Sequence, residues 1–280
     1  MKVFKTKAEV SAHADSWHND NNDIAIVPTM GFLHEGHLSL IRSARKHADR
    51  VVVSIFVNPT QFGPNEDLAA YPRNEERDLA LCEAEGADVV FMPAPGEMYA
   101  ADASVSLVES TLSKTMCGTS RPTHFQGVLT VVNKLFNITR ADVGVFGMKD
   151  AQQLAVIRRM VRDLDMPVKI IPGPIVREAD GLAMSSRNTY LSAEERQNAL
   201  CLRRSLDIAE SAWQSGDTYA QGVIREMQAF IEKTPGSAID YIVAVDADTL
   251  EPVERLRPNT LIALVVKIGK TRLLDNTILN

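Results

Sequence analysis

The stretch Ile24-Ala25-Ile26-Val27-Pro28-Thr29-Met30-Gly31-Phe32-Leu33-His34-Glu35-Gly36-His37-Leu38 decides the fold. Ile24 to Val27 is a short apolar run rich in β-branched residues, the pattern of a buried parallel strand. Pro28 and Gly31 stop it. From Leu38 the apolar residues Leu38, Ile41, Ala44 and Ala48 recur at helical spacing, with Arg42, Arg45 and Lys46 free for the other face, so a helix is expected on to Arg50. The unit is strand, glycine turn, helix, with two histidines at the helix mouth. Unpaired N–H groups and the positive end of the dipole make such a mouth a site for anions.

Two common motifs do not fit. A Walker A loop needs Lys and then Ser or Thr after its second glycine, and His37 and Leu38 stand there instead. A zincin helix needs His-Glu-x-x-His, and His34-Glu35-Gly36-His37 is one residue short. No third metal ligand sits nearby. Two surface histidines in a loop remain the plain alternative.

Outward from this unit, residues 6–20 read as a helix, 51–57 as a second buried strand, 75–85 as a helix and 87–92 as a third strand. A polar loop spans Gln61 to Arg73. Alternating strands and helices with continuously apolar strands predict a parallel sheet covered on both faces, with ligands beyond the carboxyl ends of its strands. His34, His37, Asn58 and Gln61 all follow strand ends and are expected in one crevice. Ser104–Glu109 reads as a short strand, Thr111–Cys117 and His124–Thr139 as helices, 142–146 as a strand, Asp150–Leu164 as a helix and 168–171 as a strand. Pro172-Gly173-Pro174 breaks the pattern and places the domain boundary after residue 174. Beyond it, Ser192-Ala193-Glu194-Glu195 is a capping box opening a long helix. A further helix spans 219–233, and strands are expected over 239–245, 261–267 and 272–274. The fold class is α/β: a Rossmann-like parallel-sheet domain over 1–174, then a smaller α+β domain with an antiparallel sheet over 175–280.

Composition narrows the function classes. The 280 residues are 45% hydrophobic and 24% charged, which is ordinary for a globular chain of one large or two modest domains. A net charge of −6 argues against a nucleic-acid or anionic-membrane binder, so an anionic substrate has to be drawn by a local cationic cluster. Cys82, Cys117 and Cys201 are odd in number and widely spaced, fitting a reducing cytoplasm and no zinc ribbon. Neither a signal peptide nor a membrane span is expected.

The string Thr29 to His37 contains His-x-Gly-His and resembles the adenylate-forming signature of nucleotidyltransferases related to class I aminoacyl-tRNA synthetases. Together with Phe56-Val-Asn-Pro-Thr-Gln-Phe62, Phe146-Gly-Met-Lys-Asp-Ala-Gln-Gln153 and Met184-Ser-Ser-Arg-Asn188, in order and along the whole chain, it resembles the pantoate–β-alanine ligase family. That resemblance implies a two-step reaction. (R)-Pantoate and ATP give pantoyl adenylate and pyrophosphate, and the amine of β-alanine then displaces AMP to yield pantothenate. It implies Mg2+ carried on the phosphates, a homodimer through the larger domain, and no nucleic-acid or membrane partner.

The same resemblance assigns residues. ATP is met by Met30, Gly31, Phe32, Leu33, His34, Glu35, Gly36, His37, Gly147, Met148, Lys149, Asp150, Val176, Met184, Ser185, Ser186 and Arg187. Of these, His37, His34, Lys149 and Arg187 are the catalytic group, with His37 as proton donor. Gln61 and Gln153 read pantoate, and Asn58 lies near the phosphates. The chemistry agrees: adenylation needs two anions aligned and phosphate charge absorbed, and no protein nucleophile. Met148 replaces the Glu common in the family, so contact there is expected through the backbone. Met184 to Arg187 stands where the superfamily has its flexible Lys-Met-Ser-Lys-Ser loop, so the smaller domain is expected to close over ATP. Met30, Phe62, Val131 and Val132 are candidates for an apolar wall, Arg121 for a further phosphate contact, and Asp78 for orienting magnesium through water. His124 reads as structural, and Glu35 as a helix-start carboxylate rather than a base. Two other readings compete, a nucleotidyltransferase that moves AMP onto a phosphorylated metabolite and a nucleotide-sensing protein without turnover.

Overall fold

The structure is a computed structural model that describes residues 1–64 and 66–280. Asn65, inside the loop expected between Gln61 and Arg73, lies outside the described residues. The chain divides into two compact units. Met1–Met148 with Val156–Pro174 form the first, and Lys149–Ala155 with Ile175–Asn280 the second.

The first unit carries β1 (Lys2–Phe4), α1 (Lys7–Asn19), β2 (Ile24–Thr29), α2 (Glu35–Ala44), β3 (Arg50–Ile55), α3 (Glu75–Ala84) and β4 (Val89–Phe91). After these come α4 (Pro95–Met98), α5 (Cys117–Ser120), α6 (His124–Thr139), β5 (Val143–Gly147), α7 (Ala151–Asp163) and β6 (Lys169–Gly173). The first turn of α7 groups with the second unit. Among the described residues the strands form one parallel sheet in the order β1-β4-β3-β2-β5-β6. The order reverses at β2: the chain moves outward through β3 and returns to β5 on the other side. The carboxyl end of β2 is therefore the topological switch point, where open parallel sheets bind ligands. Ile24, Ala25, Ile26 and Val27 are fully buried, as expected of a strand covered on both faces. Leu38, Leu40 and Ile41 of α2 pack with Ala25, Val27, Val51 and Val53 on one face. α1 and α6 pack against each other and against β2.

The second unit holds α8 (Ala193–Asn198), α9 (Cys201–Gln214), α10 (Ala220–Ile231), β7 (Ser237–Asp246), β8 (Thr260–Ile268) and β9 (Thr271–Leu279). The three strands form an antiparallel sheet in sequence order. Leu202, Leu206, Val223, Met227 and Ile231 of the helices share a core with Ile262, Leu264 and Val266 of β8. Among the described residues no helix is long and apolar enough to cross a membrane.

Several local expectations are corrected. β1 has no counterpart in the sequence reading, because three residues at a sheet edge leave too short a pattern to see. The helix from the histidine turn ends at Ala44, not Arg50, which opens β3. Ser104–Glu109 joins no sheet; instead Leu107 N–H donates to Thr130 Oγ1 (3.0 Å) and Gln126 to Ser106 Oγ (2.8 Å), so α6 takes the place of a neighbouring strand. The helix over 111–117 is two short turns, separated by Met116 at φ +51°. Strands run through Pro28 and Pro172; the β2–β5 ladder stops at Ile26, so the missing N–H of Pro28 removes nothing from it. The capping box at Ser192 forms, but the helix breaks at Ala199–Leu200. Ala199, Leu200, Cys201 and Leu202 are all buried, and four successive positions of one straight helix point around its whole circumference. The last strand is nine residues long, since its polar residues 275–277 pair instead of looping.

Candidate active site

In the first unit the turn after β2 is held by a carboxylate. Gly31 (φ +79°) and Phe32 (φ +50°) are both left-handed, and the second is unusual for a side chain of that size. Asp78 of α3 accepts from Phe32 N–H and Leu33 N–H, each at 2.7 Å, and is 1% exposed. A Cβ on residue 31 would sit a tight 3.0 Å from Ile55 Cγ2 and 3.1 Å from Asp78 Oδ2, but it is the positive φ that calls for glycine there. Arg77 places its guanidinium over the Phe32 ring at 5.6 Å. Asp78, expected to orient magnesium through water, has a structural task here: each carboxylate oxygen takes a backbone N–H.

His34 caps α2 in an extended conformation, and its N–H donates to His37 Nδ1 (3.3 Å). The two rings lie 4.1 Å apart. Because Nδ1 accepts, a neutral His37 carries its proton on Nε2, a donor beside the helix N-terminus. Glu35 pairs with Arg42, which also holds Glu85 at 2.6 Å.

One strand over, the turn after β3 is built on Asn58, which is 1% exposed. Its Nδ2 donates to Gly127 O (3.1 Å) and Gln61 Oε1 (3.2 Å), while Oδ1 accepts from Thr60 Oγ1 and Tyr99 OH, each at 2.9 Å. Burial pushes the Tyr99 phenol above its usual range, against the opposing pull of its hydrogen bonds to Thr60 and Asn58, so it stays a neutral donor. Gln61 then directs Nε2 at Met30 Sδ (3.1 Å), which links this turn to the end of β2. The Gln61 carbonyl accepts from His124 Nδ1 (2.9 Å) and Arg121 Nη2 (3.2 Å). α6 reaches this close because residue 127 is glycine: a Cβ there would lie 2.4 Å from the Thr60 carbonyl. The guanidinium of Arg121, a candidate for a phosphate contact, also forks onto Glu66, at 2.6 Å and 2.5 Å. Burial alone would raise the Glu66 carboxyl, but the hydrogen bonds and charge of Arg121, helped by His124, hold it below the usual carboxylate range. Of the proposed apolar wall, Val131 and Val132 are buried in α6, and Phe62 meets Tyr71 edge-on at 6.0 Å. Gly147 ends β5, and Met148 opens a 3-10 turn.

In the second unit Lys149 Nζ lies 3.9 Å from Asp150 Oδ2, and the Lys149 carbonyl accepts from Asn276 Nδ2 (2.7 Å). Gln153 is partly buried on the first turn of α7. Val176 and Met184 face each other across a tight hairpin, with Met184 N–H on Val176 O (3.0 Å) and Gly181 (φ +93°) in its turn. Ser185 Oγ accepts from Arg187 N–H (3.3 Å), opening the 3-10 turn Ser186–Tyr190. Asn188 ties that turn back, donating to Glu178 Oε1 (2.7 Å) and Ala183 O (3.1 Å). Arg196 holds Glu178 and Asp180 at 2.8 Å, and Arg177 forks onto the buried Asp275 at 2.6 and 3.0 Å.

The three cysteines are buried and free, and burial pushes the Cys82 thiol up to about 12. Among the described residues no three His, Cys, Asp or Glu side chains group as metal ligands. The sequence reading missed Tyr99, Gly127, Asp275 and Asn276, and gave Asp78 another task. Only Gly127, a glycine inside an apolar helix, left a visible signal.

With this geometry in place, comparison with known proteins is decisive. The family model described as Pantoate-beta-alanine ligase matches residues 2–278. The chain belongs to this family. Pantothenate synthetase of Thermotoga petrophila is 53% identical over 279 residues, covering all of both chains. A crystal structure of pantothenate synthetase from Thermus thermophilus superposes with a TM-score of 0.94 at 40% identity, covering 99% of each chain. The pantoate-beta-alanine ligase of Francisella tularensis, solved in complex with beta-gamma ATP and beta-alanine, has a TM-score of 0.82 at 32% identity, covering 99% of this chain and 97% of that one. As a family member the chain is a ligase, and its product is pantothenate, formed from pantoate and β-alanine.

Proposed function

We propose that this ligase works through a pantoyl adenylate, with the histidine turn at the nucleotide and the Asn58–Gln61 turn at pantoate. The observation that carries the assignment is the link between them: two turns at the carboxyl ends of adjacent strands, joined by Gln61 and Met30. A thioether is a weak acceptor, so pantoate readily takes its place on the Gln61 amide. A carboxylate oxygen of pantoate attacks the α-phosphorus of ATP and pyrophosphate leaves. His37 Nε2–H, His34 and the open N–H groups of α2 receive the charge that builds on the phosphates. From the second unit, Lys149 and Arg187 act on the same nucleotide, with the Ser185 and Ser186 hydroxyls, Asp150 and the backbone near Val176 and Met184. Gln153 shares the reading of pantoate with Gln61. The unit over 175–280 serves as a lid that shields the adenylate from water. The unprotonated amine of β-alanine then attacks the acyl carbon, and AMP leaves with the C–O bond pair.

Magnesium enters with ATP as its counter-ion. With both oxygens of Asp78 on backbone N–H groups, phosphate oxygens and water are its natural ligands. A cytoplasmic homodimer suits the chain: extended Ser104–Glu109 exposes Val105 (86%) and Val108 (69%), apolar surface that a second copy can cover.

The test is exchange of labelled pyrophosphate into ATP. It should require pantoate, and AMP release should then require β-alanine. A dinucleotide product, or exchange indifferent to pantoate, would defeat the proposal. His37→Ala should lower the exchange rate by about 100-fold or more with the melting temperature unchanged. Equal rates in variant and parent would remove its role.

A further inference from the structure

β9 contains a dipeptide that packing alone does not explain. Asp275 and Asn276 are consecutive in a strand, opposite Leu264 and Ala263, so their side chains leave opposite faces of the sheet. Both are nonetheless buried, at 2% and 3% exposure. Buried polar groups at both positions require partners on each side. Asp275 takes the fork of Arg177, whose Nη1 also reaches the Gly181 carbonyl (3.1 Å) at the turn of the hairpin between Val176 and Met184. Asn276 sends its amide 2.7 Å to the carbonyl of Lys149. The Asn276 N–H closes on Asp275 Oδ1 (2.8 Å), coupling the two tethers.

We propose that Asn276, braced by Asp275 and Arg177, is a positioning residue that sets the backbone from which Lys149 reaches the nucleotide. The inference rests on the role assigned to Lys149 above. A lysine ammonium sits on a flexible four-carbon stem, so its reach is defined only as well as its own Cα is fixed. Lys149 lies in a 3-10 turn just before α7, and the Asn276 amide supplies a fixed donor from a strand 127 positions away in sequence. The middle of one strand thereby holds both segments of this unit assigned to ATP, the turn at 149 and the hairpin at 176–184.

A double-mutant cycle on the full-length enzyme separates positioning from simple support. Asn276→Ala should lower pantoate-dependent pyrophosphate exchange about tenfold in the parent, yet less than about twofold in a Lys149→Ala background. Its melting temperature should fall by a similar amount in both backgrounds, since the lost buried hydrogen bond is common to them, so stability does not produce the difference in exchange. Equal losses in both backgrounds, or no loss in the parent, overturn the proposal. If the alanine variant fails to fold, Asn276→Leu answers the same question, since it keeps size and removes the donor without burying a charge beside Asp275. Full exchange in Lys149→Ala by itself would strike the role of Lys149 and this inference together. Low exchange there with additive losses from Asn276 strikes the inference alone.

Discussion

The Gly31–His37 turn of the first unit and the Ser185–Asn188 turn of the second are both assigned to ATP, yet they are held in different ways. The first stands at the end of a buried parallel strand, where two left-handed residues are pinned by a carboxylate from the next helix. The second turn follows no strand of a named sheet. It hangs on side-chain tethers: Asn188 and Arg196 to Glu178, Arg196 to Asp180, and Arg177 to Asp275. A sheet with apolar faces makes the first geometry stiff, because changing it means repacking a core. The Arg196 tethers to Glu178 and Asp180, on partly exposed side chains, can open at small cost, whereas the Arg177 fork on buried Asp275 stays closed. The contrast suits the roles proposed for them, a fixed phosphate cradle and a segment that opens and closes on the nucleotide.

Three experiments probe that contrast. Gly127→Ala should have the largest effect, because the new methyl group meets the Thr60 carbonyl at 2.4 Å with backbone on both sides. Overpacking of this kind costs about 1–3 kcal/mol. Displacement of the Asn58–Gln61 turn should raise the KM for pantoate far more than that for ATP, and steady-state kinetics with each substrate varied will show it. Matched changes in both would mean that the turn is not a separate pantoate reader.

Asp78→Asn comes next. The amide keeps one acceptor but turns an NH2 toward the other backbone N–H, which leaves a buried donor unpaired and costs about 1–3 kcal/mol. Urea denaturation should show that loss, together with slower adenylation. A variant as stable as the parent would show that the turn holds itself.

Asp180→Asn should do least to stability at neutral pH. The hydrogen bond from Arg196 is the main reason that the Asp180 carboxyl lies below its usual value of 3.8, with the Leu182 N–H and the arginine charge adding to it. A lowered carboxyl contributes stability above its unfolded pKa and loses it as the pH falls through the folded value. Parent and variant should therefore converge below pH 3.8 and separate slightly above it, a difference that thermal melts across acid pH will resolve. A variant that destabilises the hairpin as much as Asp78→Asn destabilises the first unit would erase the distinction between clamp and tether.

The sequence by itself determined the parallel sheet, the histidine turn at its switch point and the antiparallel second sheet, along with the membership that the family model bears out. Those features are written locally: apolar runs of strand length, helical spacing, a glycine where φ must be positive, and motifs only a few residues long. The tertiary structure alone decided what holds the motifs in place. Asp78 finds its N–H partners 45 and 46 residues away, Asn58 finds Gly127 at 69, and Asn276 finds Lys149 at 127. A buried polar residue looks like a loop residue until its partner is known, which is why 275–277 read as lying past the chain's last strand and not in its middle. Hydrogen bonds carry no periodicity along the chain, so folding has to bring donor and acceptor together before either can be recognised.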